Sequence, residues 1–406
     1  MKACVFTLGC KVNEAESASL MAGLEARGYA VTDELSPADV YILNTCAVTA
    51  EAEKKSRQAI ARIRKCNPAA KIIVCGCASQ RDPQAFAARN VSVVTGAMHK
   101  DRVLELLDFS GTSLENEDVF CELPIPKRTH TRANLRIQDG CNRFCSYCII
   151  PYLRGRTRSR SLTSILAEAR ACTAQELVLT GIDITSYRDG DKDLGDVLLA
   201  LSDFPFRVRL GSLEEGVVTR DFLEKMRAAG NVCEHFHLSL QSGSDAVLKK
   251  MNRRYTRAQY LEACALIYDF FPDAAITTDI IVGFPTETEA DFSDTLAIVD
   301  EAGFARVHAF PYSRRAGTVA AKLPDLPAAV KKERMARLSK VAAAAEERYL
   351  ARFLGRTLEA VFEEDGGYTR NYIRVRADGA REGERCLVRL EKPEQDGAYA
   401  VIIKEI

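Results

Sequence analysis

The sequence predicts an α/β protein of three parts: a doubly wound parallel sheet, a partial (β/α)6 barrel and a small antiparallel β-barrel. Two alternations of short apolar strands with helical stretches indicate the first two parts, and short strands with glycine-rich turns indicate the third. Lost periodicity around Pro124 and Pro126 indicates a linker. We therefore expect the sheet at 1–108, the linker at 109–131, the barrel at 132–346 and the C-terminal barrel at 347–406.

The N-terminal part repeats a unit of strand, turn and helix. Helices are expected around 14–27 and 51–65, with Thr49 as the N-cap of the second. Strands separated by helices run parallel and form a doubly wound sheet. The expected strands are 3–8, 40–43, 71–74 and 91–94.

The second series of strands and helices predicts an open or partial barrel, whose chemistry should lie at the carboxyl ends of its strands. Its six expected strands are 134–137, 176–179, 207–210, 235–240, 275–281 and 305–310. A proline-marked break then precedes a long helix, expected at about 328–353. The last part should contain strands at 356–362, 372–377, 385–391 and 398–404.

Composition limits the classes of function. The chain of 406 residues has 56 basic and 56 acidic side chains, so its total charge does not indicate a nucleic-acid-binding protein. We find neither an apolar run of membrane-spanning length nor a secretory signal, and we expect a cytoplasmic protein without membrane association. Disulfides are rare in that compartment, so the fourteen cysteines indicate metal ligands or buried thiols.

The strongest motif is a C-x3-C-x2-C loop directly after the first barrel strand, formed by Cys141, Cys145 and Cys148. Three thiolates can hold three irons of a [4Fe–4S] cluster and leave the fourth iron open to a small molecule. A zinc knuckle or an electron-transfer cluster is the alternative. Each normally needs a fourth nearby ligand, and neither Cys121 nor Cys172 has a suitable spacing.

Three further cysteines, Cys10, Cys46 and Cys77, each follow one of the first three expected strands. The carboxyl ends of parallel strands lie at one edge of a sheet, so these thiols should meet there and could hold a second cluster. Cysteine is also a common buried residue, and a purely structural role is the alternative. Cys75 lies two residues before Cys77, on the same face of the expected strand, and could be mistaken for the ligand.

Small and polar residues follow several barrel strands and predict a ligand pocket at the barrel mouth. Glycines allow close approach of the backbone to a ligand, and the polar side chains offer hydrogen bonds. Glycines also end strands for structural reasons, which is the alternative for each residue alone. The expected pocket residues are Thr180, Gly181, Ser212, Glu214, Gln241, Ser242 and Gly283.

Basic residues are concentrated around the cysteine loop. Between Pro126 and Arg160 there are nine basic residues and one acid, Asp139, and phosphate binding is one use of such a segment. A solvated surface is the alternative. From Ala351 onward there are ten basic and eleven acidic residues, so the last part could hold RNA only through a local face. The expected RNA contacts are Arg154, Arg156, Arg158 and Arg160 in the loop segment, and Arg370 and Arg374 in the C-terminal barrel.

Over essentially the whole chain, these motifs resemble the methylthiotransferases of the radical S-adenosylmethionine (SAM) superfamily. The resemblance rests on the segments 7–13 (TLGCKVN), 44–46 (NTC) and 76–80 (GCASQ) and on the central cysteine loop. It implies an N-terminal methylthiotransferase domain, a radical-SAM barrel and a C-terminal TRAM domain. It also implies two [4Fe–4S] clusters, with SAM bound at the central one, where one electron would cleave the sulfonium to a 5′-deoxyadenosyl radical.

Within that family, the TLGCKVN opening is most similar to the branch that acts on N6-threonylcarbamoyladenosine in tRNA. The resemblance implies conversion of that nucleoside, next to the anticodon, to its 2-methylthio form, with an electron donor of the flavodoxin or ferredoxin type and a sulfur donor as partners. Glu215 and Arg156 stand where that branch usually has proline. Two enzymatic alternatives remain, acting on isopentenyladenosine in tRNA or on an aspartate of a ribosomal protein. A non-enzymatic iron–sulfur carrier is the alternative from another class.

Overall fold

The computed structural model describes residues 1–114, 117, 119–126 and 131–406 of the chain. Three successive arrangements of strands follow one another along it, as the sequence predicts: a parallel sheet, an open barrel and a closed barrel. Within this described part, no helix combines the length and the apolar character that a membrane span requires.

The N-terminal sheet has six parallel strands in the order β2-β1-β3-β4-β5-β6. β2 lies on one side of β1, and the chain then crosses over to β3 on the other side. The strand order therefore reverses between β1 and β3, and the crevice for ligands lies at their carboxyl ends. Its elements are β1 (Lys2–Thr7), α1 (Lys11–Glu25), β2 (Ala30–Thr32), β3 (Val40–Thr45), α2 (Ala50–Cys66), β4 (Lys71–Gly76), α3 (Cys77–Arg81), α4 (Pro83–Ala87), β5 (Val93–Thr95) and β6 (Gly111–Ser113).

Two edge strands of this sheet were not expected from the sequence. β2 and β6 have three residues each, too few for a clear pattern, and β6 falls in the segment expected to be a linker. The N-cap prediction is confirmed, because the Thr49 side chain accepts a hydrogen bond from the amide of Ala52 at 3.1 Å.

The central part is an open barrel whose six expected strands pair in sequence order. The third is interrupted at Gly211, which divides it into two short strands. The strands are β7 (Arg132–Arg136), β8 (Gln138–Asp139), β9 (Arg158–Ser159), β10 (Glu176–Thr180), β11 (Arg207–Leu210), β12 (Ser212–Leu213), β13 (His235–Leu238), β14 (Ala275–Val282) and β15 (Arg306–Pro311). The helices are α5 (Ile150–Arg154), α6 (Leu162–Arg170), α7 (Leu194–Ala200), α8 (Arg220–Ala229), α9 (Asp245–Lys250), α10 (Arg257–Phe270), α11 (Glu289–Glu301) and α12 (Ala328–Ala351).

The C-terminal part is a closed five-stranded barrel in the order β16-β17-β18-β20-β19, consistent with a TRAM-like domain. All its pairs are antiparallel except β18 with β20. The glycine-containing strand β17 was not expected. The strands are β16 (Thr357–Glu363), β17 (Gly366–Thr369), β18 (Arg374–Arg376), β19 (Arg385–Glu394) and β20 (Gly397–Glu405).

The C-terminal barrel plugs the end of the open barrel at which its strands begin. Arg207 and Arg209, both on β11, donate hydrogen bonds to the carbonyl oxygens of Tyr368 at 2.7 Å and of Thr369 at 3.0 Å. The Tyr372 ring stacks on His235, with ring centroids 3.9 Å apart. This arrangement leaves the opposite end of the barrel, where the cysteine loop lies, facing the N-terminal sheet.

Candidate active site

The central cysteine loop is closed at its base by the antiparallel pair β8–β9, in which Asp139 lies opposite Arg158. The Cys141 amide donates to the carbonyl oxygen of Gly155 at 3.1 Å. Gly140 has a φ of +70°, and a Cβ there would lie 1.8 Å from the carbonyl oxygen of Arg156. Glycine is therefore required at the point where the chain turns from β8 into the loop.

The end of α9 and the residues that follow it support the loop from the barrel side. Ser146 donates from its amide to the Met251 carbonyl at 2.9 Å and from its hydroxyl to the Lys250 carbonyl at 2.7 Å. The Asn252 amide group donates to the carbonyl of Phe144 at 3.0 Å. These contacts fix the backbone that carries the cysteines.

The three loop thiols lie near one another and are costly to ionise by themselves. Burial, with a smaller contribution from the neighbouring Cys145, raises the pKa of Cys141 to about 11 and of Cys148 to about 12. Arg253 lies 3.5 Å from the Cys145 sulfur, and the Arg143 amide donates to the Cys141 sulfur at 3.4 Å. A partly buried set of thiols with cationic neighbours fits an iron–sulfur cluster, because bound iron stabilises the thiolates.

The second cysteine set lies in the crevice of the N-terminal sheet. Cys10 precedes the first residue of α1, Cys46 follows β3, and Cys77 begins α3. Burial raises the pKa of Cys46 to about 11, with smaller contributions from Cys77 and Cys10. The topology thus brings three thiols distant in sequence to one edge, and this donor set also fits a cluster.

Cys75 belongs to a different layer of the protein. It packs in the apolar core between the sheet and α1, with Val5 and Ile73, whereas Cys77 packs in the core on the other side. The expectation that Cys75 and Cys77 share a face of one strand was wrong. β4 ends at Gly76, whose φ of +108° redirects the chain into α3.

The segment after the central cysteine loop packs beside Cys77 of the N-terminal set, which the sequence could not show. Helix α5 follows Cys148 directly and packs against α3, which begins at Cys77. Ile149 and Leu153 are buried in the same apolar cluster as Cys77. Arg154, the last residue of α5, donates from Nε to the Cys77 sulfur at 3.3 Å.

Arg154 is also the centre of a buried ionic network between the two parts. Its guanidinium group, fully inaccessible to solvent, lies 2.9 Å from Glu16 of α1 and 3.0 Å from Asp139 of β8. Glu16 additionally pairs with Lys100 and Arg136. Although burial opposes it, the charge of Arg154 and of its other cationic neighbours holds the pKa of Glu16 well below its usual value.

Much of the expected RNA-binding segment is therefore internal. Arg154, Arg158 and Arg160 are buried, and Arg158 and Arg160 pair with Asp139 and Glu168. The prediction that these three side chains contact RNA was wrong, because pairing with Glu16, Asp139 and Glu168 holds them in the interior. Lys127 and Arg128, also in this segment, lie outside the described residues.

The other expected RNA contacts lie nearer to solvent. Arg156 is exposed, with its guanidinium 4.6 Å from the centre of the Phe144 ring. Arg370 pairs with Glu234, and Arg374 pairs with Asp396. Arg370 also donates to backbone carbonyls that precede β13, so it holds the C-terminal barrel to the open barrel.

The expected pocket residues fall into two groups. Thr180 ends β10, Ser212 is exposed on β12, and Gln241 has a left-handed φ of +70° while its backbone bridges to β14. Glu214 pairs with Arg253, and burial raises its pKa. These four residues follow or end strands at the mouth, on the side of the cysteine loop.

The remaining expected pocket residues make close packing contacts. A Cβ on Gly181 would lie 2.9 Å from the Gln138 carbonyl oxygen, and a Cβ on Gly283 would lie 2.5 Å from Lys331 of α12. The Ser242 hydroxyl is buried 3.4 Å from that of Thr295 on α11. A contact of these residues with a bound ligand stays a prediction.

Sequence reasoning missed the charged residues that surround the cysteine loop. Arg143 pairs with Asp183, which follows β10, and lies 3.9 Å from Glu214. Arg253 joins the same group through Glu214. Asp183 comes three residues after a strand end, a signal that could have found it, whereas Arg253 has no comparable signal.

A second missed set lines the inside of the open barrel. Glu176 is fully buried between Arg132, Arg207 and Arg209, which hold its pKa well below the usual range against the effect of burial. Lys11, next to Cys10, is accessible to solvent yet surrounded by protein. This partial desolvation lowers its pKa, with Arg132 and Arg209 adding to the effect.

Comparison with known proteins agrees with this architecture. Residues 135–299 match the model of the Radical SAM superfamily, and residues 2–96 match that of the Uncharacterized protein family UPF0004. The radical S-adenosylmethionine methyltransferase TsrM from Kitasatospora setae has a similar structure, with a TM-score of 0.58, 14% identity and coverage of 79% of this chain and 77% of that one. At this identity the likeness shows the fold alone.

Relatives of higher identity span nearly the whole chain. Threonylcarbamoyladenosine tRNA methylthiotransferase MtaB of Chlamydia pneumoniae is 38% identical, covering 89% of this chain and 86% of that protein. MtaB of Bacillus subtilis (strain 168) is 35% identical, covering 98% and 96%. The tRNA-2-methylthio-N(6)-dimethylallyladenosine synthase of Staphylococcus aureus (strain Newman) is 34% identical, covering 98% and 84%. With these relatives and its match to the Radical SAM model, the chain belongs to the radical-SAM methylthiotransferase family.

Proposed function

We propose that this enzyme converts N6-threonylcarbamoyladenosine, next to the anticodon of tRNA, to its 2-methylthio derivative. The observation that carries the proposal is the approach of the two cysteine sets, which Arg154 links by contacting Cys77 from the helix after Cys148. A reaction that uses a radical at one centre and sulfur at another requires that the two centres face one site. An iron–sulfur carrier has no such requirement.

In this proposal Cys141, Cys145 and Cys148 hold one [4Fe–4S] cluster, and Cys10, Cys46 and Cys77 hold the other. With SAM, the two clusters would supply the methylated sulfur and the one-electron chemistry. The inert C2–H bond of adenine requires that one-electron chemistry. The chain itself supplies position and shielding. Ile149 and Leu153 form a dry contact between the centres.

The charged residues at the mouth are suited to holding a polar cofactor. Arg143, paired with Asp183, and Arg253, paired with Glu214, place two guanidinium groups beside the loop thiols. They can orient the carboxylate of SAM, while Asp183 and Glu214 offer acceptors to its amino group. Thr180, Ser212 and Gln241 are proposed to line the same pocket.

The substrate branch is supported by the charge inside the barrel. The threonylcarbamoyl group ends in a carboxylate, whereas the dimethylallyl group is a hydrocarbon. Lys11 follows Cys10 directly and lies near Arg132 and Arg209, which pair with Glu176. The ammonium group of Lys11 can pair with the carboxylate of the threonylcarbamoyl group, whereas a hydrocarbon group offers it no partner.

The proposal also requires partners. The enzyme takes tRNA as substrate, an electron donor of the flavodoxin or ferredoxin type and a sulfur donor, and we place it in the cytoplasm, where these meet. Of the four arginines expected to contact RNA in the loop segment, three are buried and Arg156 is exposed. We propose that Arg156 contacts an RNA phosphate.

Mass spectrometry of nucleosides from tRNA of cells with and without this gene tests substrate and reaction together. We expect the 2-methylthio form of threonylcarbamoyladenosine to disappear and its precursor to accumulate. Loss of the methylthio group from isopentenyladenosine instead would overturn the branch and keep the family. No change in either nucleoside would leave a protein aspartate or an iron–sulfur carrier as the function.

Iron analysis of purified variants tests the ligand sets. Replacing Cys141, Cys145 and Cys148 together by alanine should remove about half of the bound iron, and so should replacing Cys10, Cys46 and Cys77, because each set holds one of two clusters. Cys75→Ala is the matched control and should keep all the iron. Equal iron loss in the control would contradict this assignment.

A further inference from the structure

A third group of metal-binding side chains lies away from both cysteine sets. His99 and Asp101 follow β5, and Cys121 lies in the connection between the N-terminal sheet and the open barrel. One potential ligand atom from each residue lies within 4.8 Å of the other two. The Cys121 sulfur is 3.4 Å from His99 Nδ1, and Asp101 Oδ1 is 4.0 Å from the same nitrogen.

The hydrogen bonding of His99 determines which of its nitrogens is free to bind a metal. Its Nε2 lies 3.1 Å from the carbonyl oxygen of Glu117. A carbonyl oxygen only accepts, so Nε2 carries the proton and Nδ1 presents its lone pair toward Cys121 and Asp101. Metal-binding histidines are commonly oriented in this way, with the second ring nitrogen donating to a carbonyl or a carboxylate.

The other two potential ligand atoms, Asp101 Oδ1 and the Cys121 sulfur, also point into the protein. Asp101 Oδ1 is buried and has no hydrogen-bond partner among the described residues. The Cys121 sulfur is partly buried, with its thiol directed at His99 Nδ1. The nearby guanidinium of Arg136 is used elsewhere, on the Cys121 carbonyl oxygen at 2.6 Å and on the Phe120 ring. Three potential ligand atoms thus converge on one point.

The arrangement does not match a catalytic Cys–His–Asp triad. In such triads the carboxylate binds the imidazole nitrogen opposite to the nucleophile, where it orients the ring. Here the backbone of Glu117 occupies the opposite nitrogen, and Asp101 approaches the same nitrogen as Cys121. Because both side chains approach the same nitrogen, the geometry fits metal binding better than nucleophilic catalysis.

We infer that His99, Asp101 and Cys121 bind a zinc ion. One thiolate, one imidazole and one carboxylate are donors that Zn²⁺ accepts, and the Sγ–Nδ1 separation of 3.4 Å suits two ligands of one tetrahedral ion. The ion would fasten the segment 119–126 to the end of β5. Arg136 of β7 binds the same segment, so the zinc would fix the path of the chain from the sheet into the open barrel.

The test is metal analysis and zinc-edge X-ray absorption on the iron-loaded, full-length enzyme given equimolar zinc and then desalted. We expect about one zinc per chain, coordinated by one sulfur and by nitrogen and oxygen atoms. Cys121→Ser and His99→Ala should each lower zinc retention at least about tenfold while the iron content stays unchanged. Cys66→Ser, which alters a partly exposed cysteine outside the cluster, is the control and should retain zinc.

The wild-type absorption spectrum tests the inference even where a variant fails to fold. No bound zinc in the wild type, zinc with several sulfur ligands, or equal retention by Cys121→Ser and the wild type would each overturn it. Several sulfur ligands would mean that zinc occupies one of the two cysteine sets instead. The outcome is independent of the proposed substrate, because none of the three ligands belongs to those sets.

Discussion

Arg154 shows how one residue can connect two centres. It lies on the short helix after the third loop cysteine, contacts Cys77 and pairs with Glu16 and Asp139 from two different parts of the protein. Its charge is fully desolvated, and such a group is retained only when acceptors surround it. Arginine suits this place because its planar fork offers five donors, whereas lysine offers a point charge.

Replacing Arg154 by methionine should lower the free energy of unfolding by about 3–5 kcal/mol, because Glu16 and Asp139 would lose a buried partner. Urea unfolding followed by circular dichroism measures this change. Arg156→Met is the matched control, since Arg156 is exposed on Phe144, and should cost less than about 1 kcal/mol. Similar losses in both variants would contradict a stabilising role specific to the buried network.

The buried carboxylates also predict how stability depends on pH. Cationic neighbours lower the folded-state pKa of Glu16 and Glu176 although burial acts in the opposite direction. Their contribution to stability is therefore complete above the unfolded pKa of about 4.3 and is lost as the pH falls through the folded value. We expect unfolding free energies of the cluster-free chain to be steady from about pH 7 to 5.5 and to fall below about pH 5. A Glu16→Gln variant should show a shallower fall, and an unchanged slope would contradict this assignment.

At the scale of elements, the cysteine loop depends on the short pair β8–β9 and on the turn at Gly140. Neither strand of this pair has more than two residues, and backbone contacts from the segment after α9 complete the support. The loop is thus positioned by its glycine turn and by contacts with β9 and with the residues that end and follow α9.

Gly140→Ala should remove the iron held by the loop, about half of the total, because the added Cβ would meet the Arg156 carbonyl and displace the turn. Iron content and reductive SAM cleavage are the measurements. Gly190→Ala is the matched control. Gly190 also has a positive φ, of +60°, but an added Cβ meets no atom within 4 Å, so this variant should cost only about 1–2 kcal/mol and keep its iron. Full iron in Gly140→Ala would show that the turn is not required.

At the scale of the whole molecule, the C-terminal barrel closes one end of the open barrel, and the N-terminal part packs against its first strand, β7, and against α5 after the cysteine loop. Arg207 and Arg209 reach the backbone of the C-terminal barrel, and Arg370 reaches back to Glu234 and to the carbonyls of Gly230 and Val232. The basic residues at this junction hold protein to protein, so they do not form a free surface for RNA.

Arg370→Ala should therefore loosen the C-terminal barrel by about 1–3 kcal/mol, since it removes the donor to the partly buried Val232 carbonyl and to the Gly230 carbonyl. Faster hydrogen exchange in β16–β20 would report this loosening. Arg381→Ala removes a highly exposed arginine paired with Glu384 and should leave exchange unchanged. If the two variants exchange alike, Arg370 does not hold the interface.

Local patterns predict the succession of sheet, open barrel and closed barrel, because strand and helix periodicities are local. They also predict that Cys10, Cys46 and Cys77 lie at one edge, because parallel topology brings strand ends together. The edge strands β2 and β6 and the four-residue strand β17 were too short to show a pattern. The tertiary structure was needed to show that Arg154, after the central cysteine loop, contacts Cys77 and that Arg154, Arg158 and Arg160 are internal. The reason is that pairing depends on contacts such as that of Arg154 with Glu16, and a local charge count cannot distinguish a solvated basic strip from a buried ionic network.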